Sequence, residues 1–212
     1  MLNDPDLLLR NDICLRLTEA RARTLLLVSA LSEDDLRIQH DSLMSPILWD
    51  LGHIAHFEEL WLTRNLSGTI EFSEMPGMYN PFEHPRATRA ALPLPSLAHL
   101  VNTAAEIRAD VIETLLHTNF QSAQTLLADG FVYNMVLQHE YQHNETILQT
   151  LQLKTGIPYR APRVSAQPRG RRPDFHQGIR IPAGDYPICT DDRSRAYDNE
   201  RPRHSVSMPA FE

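Results

Sequence analysis

Apolar residues recur at helical spacing in four stretches of the chain, each bounded by residues that start or stop helices. The first runs from about Asp6 to Leu31, with Leu8, Leu15, Leu17, Ala22, Leu25, Leu26 and Ala30 near that spacing. The second opens at Ser45-Pro46, with Ser45 as the expected cap and Pro46 in the first turn. It continues through PILWDLGHIAHFEELWLTRNL to Ser67-Gly68. The third starts at Pro95-Ser96 and reaches about His117. The fourth follows Asp129-Gly130 and extends to about Lys154, where Thr155-Gly156 and then Pro158 end it. Four amphipathic helices of this length predict a mainly all-α fold, a four-helix bundle over residues 1–155.

Two stretches break the pattern. Between the second and third helices, Gly68 to Leu94 carries Pro76, Gly77, Pro81, Pro85 and Pro93. A connection this long inside a compact domain is commonly functional, and Met75, Met78, Tyr79 and Phe82 are expected to order it by packing on the bundle. Residues 156–178 are rich in arginine, proline and glycine and read as an interdomain linker. Residues 179–212 show strand-like runs at Ile179–Ile181 and Ser205–Met208, with too few core positions to fold alone. They read as the opening of a second, α+β domain.

Charge follows the same division. Residues 1–154 carry 10 Lys+Arg against 20 Asp+Glu, whereas residues 155–212 carry 10 against 7, within a 212-residue chain of formal net charge −7. An acidic bundle is a poor surface for nucleic acid. The chain has no apolar run long enough to span a membrane, and its first residues, MLNDPDLLLR, do not read as a secretory leader. Two cysteines, Cys14 and Cys189, make no disulfide framework, which points to the cytoplasm.

The strongest chemical signal is His139-Glu140-Tyr141-Gln142-His143 on the fourth helix. Histidines at i and i+4 share a helix face and can reach one metal ion. Two partly exposed histidines on a polar face is the plainer reading of that pair. The second helix adds His53 and His56, both flanked by apolar positions, and a bundle can aim residues of two facing helices at one interior point. Spacing does not choose between His53 and His56. Three neutral imidazoles would leave coordination positions open, as a catalytic site requires. HEYQH matches the letters of the zincin pattern, in which the glutamate would activate water for hydrolysis, but the motif equally fits a metal pair with Glu140 merely beside it and is not read as a zincin.

The segments MSPILWDLGHIAHFEELWL, MYNPFEHPRATRAALPL and GFVYNMVLQHEYQHNETILQTLQL resemble the N-terminal domain of the ergothioneine-biosynthesis sulfoxide synthases, of the actinobacterial type. AYDNERPRHSVSMPAF resembles the start of that family's second domain, related to the formylglycine-generating, sulfatase-modifying fold. The resemblance implies a DinB-like bundle holding non-haem iron(II) through His53, His139 and His143, with His56 a neighbour. It implies that Gln142 faces hercynine and that Arg86 and Arg89 bind the carboxylates of γ-glutamylcysteine. The implied reaction joins the sulfur of γ-glutamylcysteine to the imidazole of hercynine and oxidises it to a sulfoxide, using O2. Asp50, Glu58, Glu140 and Gln138 are the expected partners that orient the ligand imidazoles.

The family's second domain supplies much of the pocket, including a tyrosine used in the oxygen chemistry. The chain is therefore expected to be a truncated form with no further catalytic side chain of its own and low activity alone. The competing expectations are a stand-alone DinB-like thiol transferase using zinc or another divalent ion, and a non-catalytic metal-binding bundle.

Overall fold

The computed structural model describes residues 5–67, 77–121, 124–162 and 178–212. The chain divides into two compact units, Met1–Pro162 and Arg163–Glu212. The first is helical. Its elements are α1 (Pro5–Val28), α2 (Glu33–Arg37), α3 (Ile47–Glu59), α4 (Asn65–Ser67), α5 (Arg86–Arg89), α6 (Leu97–His117) and α7 (Phe131–Gln152). A π-helical turn, Leu60–Arg64, joins α3 to α4. The long helices pack α1 on α7 and α6, and α3 on α6 and α7. No helix among the described residues is long and apolar enough to cross a membrane.

Local chemistry explains most of the boundaries. The Ser96 hydroxyl accepts from the His99 amide, capping α6 as its position predicts. α7 starts behind Gly130, whose φ of 71° is a left-handed conformation that glycine adopts without strain. α1 ends at Val28, short of Leu31, because Ser32 opens the additional helix α2 with a reciprocal cap to Asp35. The expected Ser45 cap is not formed. Pro46 takes the capping position of α3, and the Ser45 hydroxyl instead accepts from Arg89 Nη1 at 2.7 Å.

The inward face of α1 also differs from the leucine pattern. Its buried positions are Asp6, Ile13, Leu17, Ala20, Thr24 and Val28, while Leu15 is 71% exposed and Leu8 and Leu26 also face solvent. The buried stripe contains polar residues because α1 contributes to a buried charge cluster. Arg21 Nη2 donates to Glu58 Oε2 at 2.8 Å, and Arg21 Nε donates to Glu140 Oε1 at 2.9 Å. Arg108 donates to both glutamates as well, reaching Glu58 Oε2 at 2.9 Å and Glu140 Oε2 at 3.2 Å. Thr24 adds a hydrogen bond to Glu140 Oε1. Each long helix thus supplies one charge, and the two arginines on α1 and α6 tie α3 to α7.

The loop before α6 is anchored as expected by Met78 and Tyr79, both buried. Phe82 is not an anchor: it is 95% exposed. The Asn80 side chain accepts from the Phe82 amide and closes a tight turn in which the ring points outward. Met75, Pro76 and Gly68 lie outside the described residues.

In the second unit, β1 (Gly184–Ile188) pairs antiparallel with β2 (His204–Met208), Tyr186 facing Val206. β2 lies where the sequence places it. The expected strand at Ile179–Ile181 is reduced to a single bridge from Ile181 to Phe211. β1 instead occupies GDYPI, whose glycine and proline hide it from propensity. Of the expected linker 156–178, residues 163–177 lie outside the described residues.

Removing one member of a paired buried charge leaves the others unsatisfied, at a cost of about 3–5 kcal/mol. Glu58→Ala is expected to show a loss of that order in urea unfolding. Glu19→Ala, which breaks the exposed Arg23–Glu19 pair, is expected to change stability by no more than about 0.5 kcal/mol. Equal effects of the two would contradict a structural role for the cluster.

Candidate metal centre

α3 and α7 bring His53, His139 and His143 together. The ring centroids form a near-equilateral triangle of 5.0, 4.8 and 4.6 Å. One ring nitrogen of each lies within 4.8 Å of the others. Local bonding decides which nitrogen of His53 faces inward. Its Nδ1 is 2.7 Å from the carbonyl oxygen of Tyr79, and a carbonyl only accepts, so Nδ1 carries the proton. The Nε2 lone pair is left facing His139 Nε2 at 3.2 Å. Two nitrogens bound to one ion at about 2.0–2.1 Å in tetrahedral geometry would sit about 3.3 Å apart. The observed spacing suits a shared ion.

The tie to Tyr79 depends on the residue before His53. The Tyr79 ring lies against Gly52, where a Cβ would overlap it. The group that comes closest to Gly52 is this loop tyrosine.

The remaining imidazoles are held by packing and by one carboxylate. Phe57 stacks on His139 at 3.6 Å and 12°, and Trp49 stacks on His53 at 4.8 Å and 12°. The buried Asp50 places Oδ1 3.3 Å from His143 Nδ1. That is an ion-pair distance without hydrogen-bond alignment, and Asp50 Oδ2 and His143 Nδ1 have no hydrogen-bond partner among the described residues. His139 Nδ1 is similarly orphaned. Burial, with the neighbouring His143 adding to it, lowers His53 to about 3 and His139 to about 2. Both are therefore neutral at physiological pH, the state in which imidazole binds a metal. Burial pushes the Asp50 carboxyl upward, against the pull of His143. Three imidazole nitrogens within 4.8 Å of one another, those of His53 and His139 neutral, fit a divalent ion with open coordination positions.

Those positions have room beside them. A cavity of about 730 Å³ is lined by His53, His139, His56, Phe57, Trp61 and Tyr79. The π-helical turn after α3 contributes Leu60, Trp61 and Arg64 to its wall.

A sequence profile of the DinB superfamily matches residues 16–147, the span that carries all three histidines. The chain belongs to the DinB superfamily. This DinB-superfamily chain is 39% identical to a protein named hercynine oxygenase from Mycolicibacterium thermoresistibile over 208 residues, 95% of the chain and 45% of the relative. It is 40% identical to the hercynine oxygenase of Mycobacterium tuberculosis over 205 residues, 92% of the chain and 45% of that protein. A third, from Mycolicibacterium smegmatis, is 36% identical over 210 residues. The chain spans about 45% of the length of the curated relatives it matches.

Within the DinB-superfamily unit, the other residues singled out by sequence fall as follows. His56 lies outside the triangle, half-buried, in the cavity wall. Gln142 is exposed beside His143. Arg86 is exposed, and its carbonyl accepts from Gln39. Arg89 is only 6% exposed: its guanidinium lies 3.5 Å from the Trp49 ring and its Nε donates to the His84 carbonyl. Of the four expected orienting groups, Asp50 reaches a histidine of the triangle, whereas Glu58 and Glu140 serve the charge cluster. Gln138 is half-buried on α7. Sequence reasoning missed Trp49 and Tyr79 as site residues. The signals were present, since Trp49 is four residues before His53 and Gly52 marks the approach of Tyr79.

Two outcomes are expected. Gly52→Ala should destabilise the protein by about 1–3 kcal/mol, because Tyr79 must move; unchanged urea unfolding would contradict the contact. Free histidine titrates near 6.5, far above the folded values, so on acidification the unfolded chain takes up protons first. Metal-free protein should lose stability as pH falls from about 6.5 towards 3. A His53→Gln/His139→Gln variant should lose less between pH 7 and pH 5; an equal loss would contradict neutral buried imidazoles.

Proposed function

We propose that this chain is the metal-binding N-terminal part of an ergothioneine-pathway sulfoxide synthase. In this reading residues 1–155 form a four-helix bundle that holds iron(II) through His53, His139 and His143. Residues 156–178 are a linker, and residues 179–212 open a second domain of the formylglycine-generating type. The observation that carries the reading is the triangle of three imidazoles beside a cavity. The names of the relatives, hercynine oxygenase, support the substrate.

Bound iron(II) would supply the Lewis-acid and redox capacity for O2-dependent joining of γ-glutamylcysteine sulfur to hercynine. The chain's own residues act around it. Tyr79 orients His53 through the Nδ1 hydrogen bond. Asp50 sits where it can fix the ring of His143. Phe57 and Trp49 cover two of the imidazoles, limiting water access and rotation. Arg86, exposed on the loop, suits a γ-glutamylcysteine carboxylate, and Gln142 beside His143 suits hercynine. The protein works in the cytoplasm, on small molecules rather than nucleic acid.

Calorimetric titration of γ-glutamylcysteine into anaerobic iron(II)-loaded chain is expected to show binding that metal-free chain lacks. Arg86→Ala is expected to weaken it about ten-fold, the scale of one charge-assisted hydrogen bond. Equal binding with and without iron would contradict the reading. Thiol transfer by zinc-loaded protein in the absence of O2 would favour the thiol-transferase class instead.

A further inference from the structure

Arginine rarely occupies a buried position unless its charge has a use there. Arg89 comes from the short helix α5 of the loop, and its packing leads to the metal centre in two steps. Among the described residues its hydrogen bonds run from Nε to the His84 carbonyl at 2.8 Å and from Nη1 to the Ser45 hydroxyl at 2.7 Å. These fix the guanidinium plane 3.5 Å from the Trp49 ring, a close cation–π contact. Trp49 is fully buried, its indole N–H donates to the Met78 carbonyl at 3.1 Å, and its ring lies parallel to His53. His53 is in turn bonded to the Tyr79 carbonyl. The 77–94 loop therefore reaches His53 twice: directly through Tyr79, and through Arg89 by way of Trp49.

We propose that Arg89 is a positioning residue of the metal centre, acting through Trp49 to hold the ring plane of His53. This rests on the three-histidine metal reading and extends it: an arginine expected to meet substrate carboxylates also sets the geometry of a metal ligand.

The test measures Co2+ affinity by visible absorption in the full chain, without substrate or turnover. Arg89→Met, which keeps bulk and removes charge and donors, is expected to raise the Co2+ dissociation constant about ten-fold or more, the usual effect of losing a partner behind a ligand. In a Trp61→Phe background, where Trp49 is the remaining tryptophan, the same substitution should shift the Trp49 emission. A double-mutant cycle with Trp49→Leu should show the two losses to be non-additive. Leu115→Ala, in the core, controls for stability, and should lower the unfolding midpoint without changing Co2+ affinity. Unchanged affinity in folded Arg89→Met, full additivity, or an equal affinity loss in Leu115→Ala would each overturn the proposal. Failure of the parent chain to bind Co2+ would overturn the metal reading itself.

Discussion

The hydrogen bond from His53 Nδ1 to the Tyr79 carbonyl is the contact on which the site turns. A histidine can present its lone pair from either of two distinct ring nitrogens, and burial alone does not choose between them. A backbone carbonyl does, because it can only accept. With Nδ1 committed, Nε2 points at His139, and three rings on two helices converge. The carbonyl can be there because Gly52 has no side chain and the Tyr79 ring lies in the space. The long loop is thus a structural part of the centre, and its order and the order of His53 are the same property.

Convergence also requires that α3 and α7 keep their register. Apolar packing tolerates small slides, but hydrogen-bonded charges do not. Glu58 lies five positions after His53 on α3, and Glu140 follows His139 on α7; both are gripped by Arg21 and Arg108. Desolvating four charges is expensive, and the arrangement gains little over an apolar core in net stability. What it supplies is a discrete geometry close to the imidazoles. That accounts for Glu140, which the HEYQH pattern invites one to read as a catalytic base: its carboxylate is occupied by two arginines and Thr24.

The helical signal and the pair His139/His143 were readable from spacing, because helix periodicity dictates which side chains share a face. The choice of His53 over His56 was not, since both sit on the same apolar stretch and only the packing of α3 on α7 and the loop brings His53 to the other two histidines. The buried face of α1 was misleading for a related reason. Its leucines follow helical spacing, yet the inward positions include Arg21 and Thr24, whose partners lie on other helices. Phe82 and Ser45 fail in the same way: a turn-closing Asn80 and a distant Arg89 decide their roles. Arg89 is the clearest case. The motif HPRATR marks it as important, and only the fold shows that its guanidinium packs on Trp49.

The most direct measurement of the central claim is metal content by elemental analysis of protein purified anaerobically, for the parent chain and for a His139→Ala/His143→Ala variant. The account predicts about one iron per parent chain and its loss in the variant, with the helical fold retained by circular dichroism. Iron retained by the folded variant, or no metal in the folded parent after iron(II) loading, would contradict it.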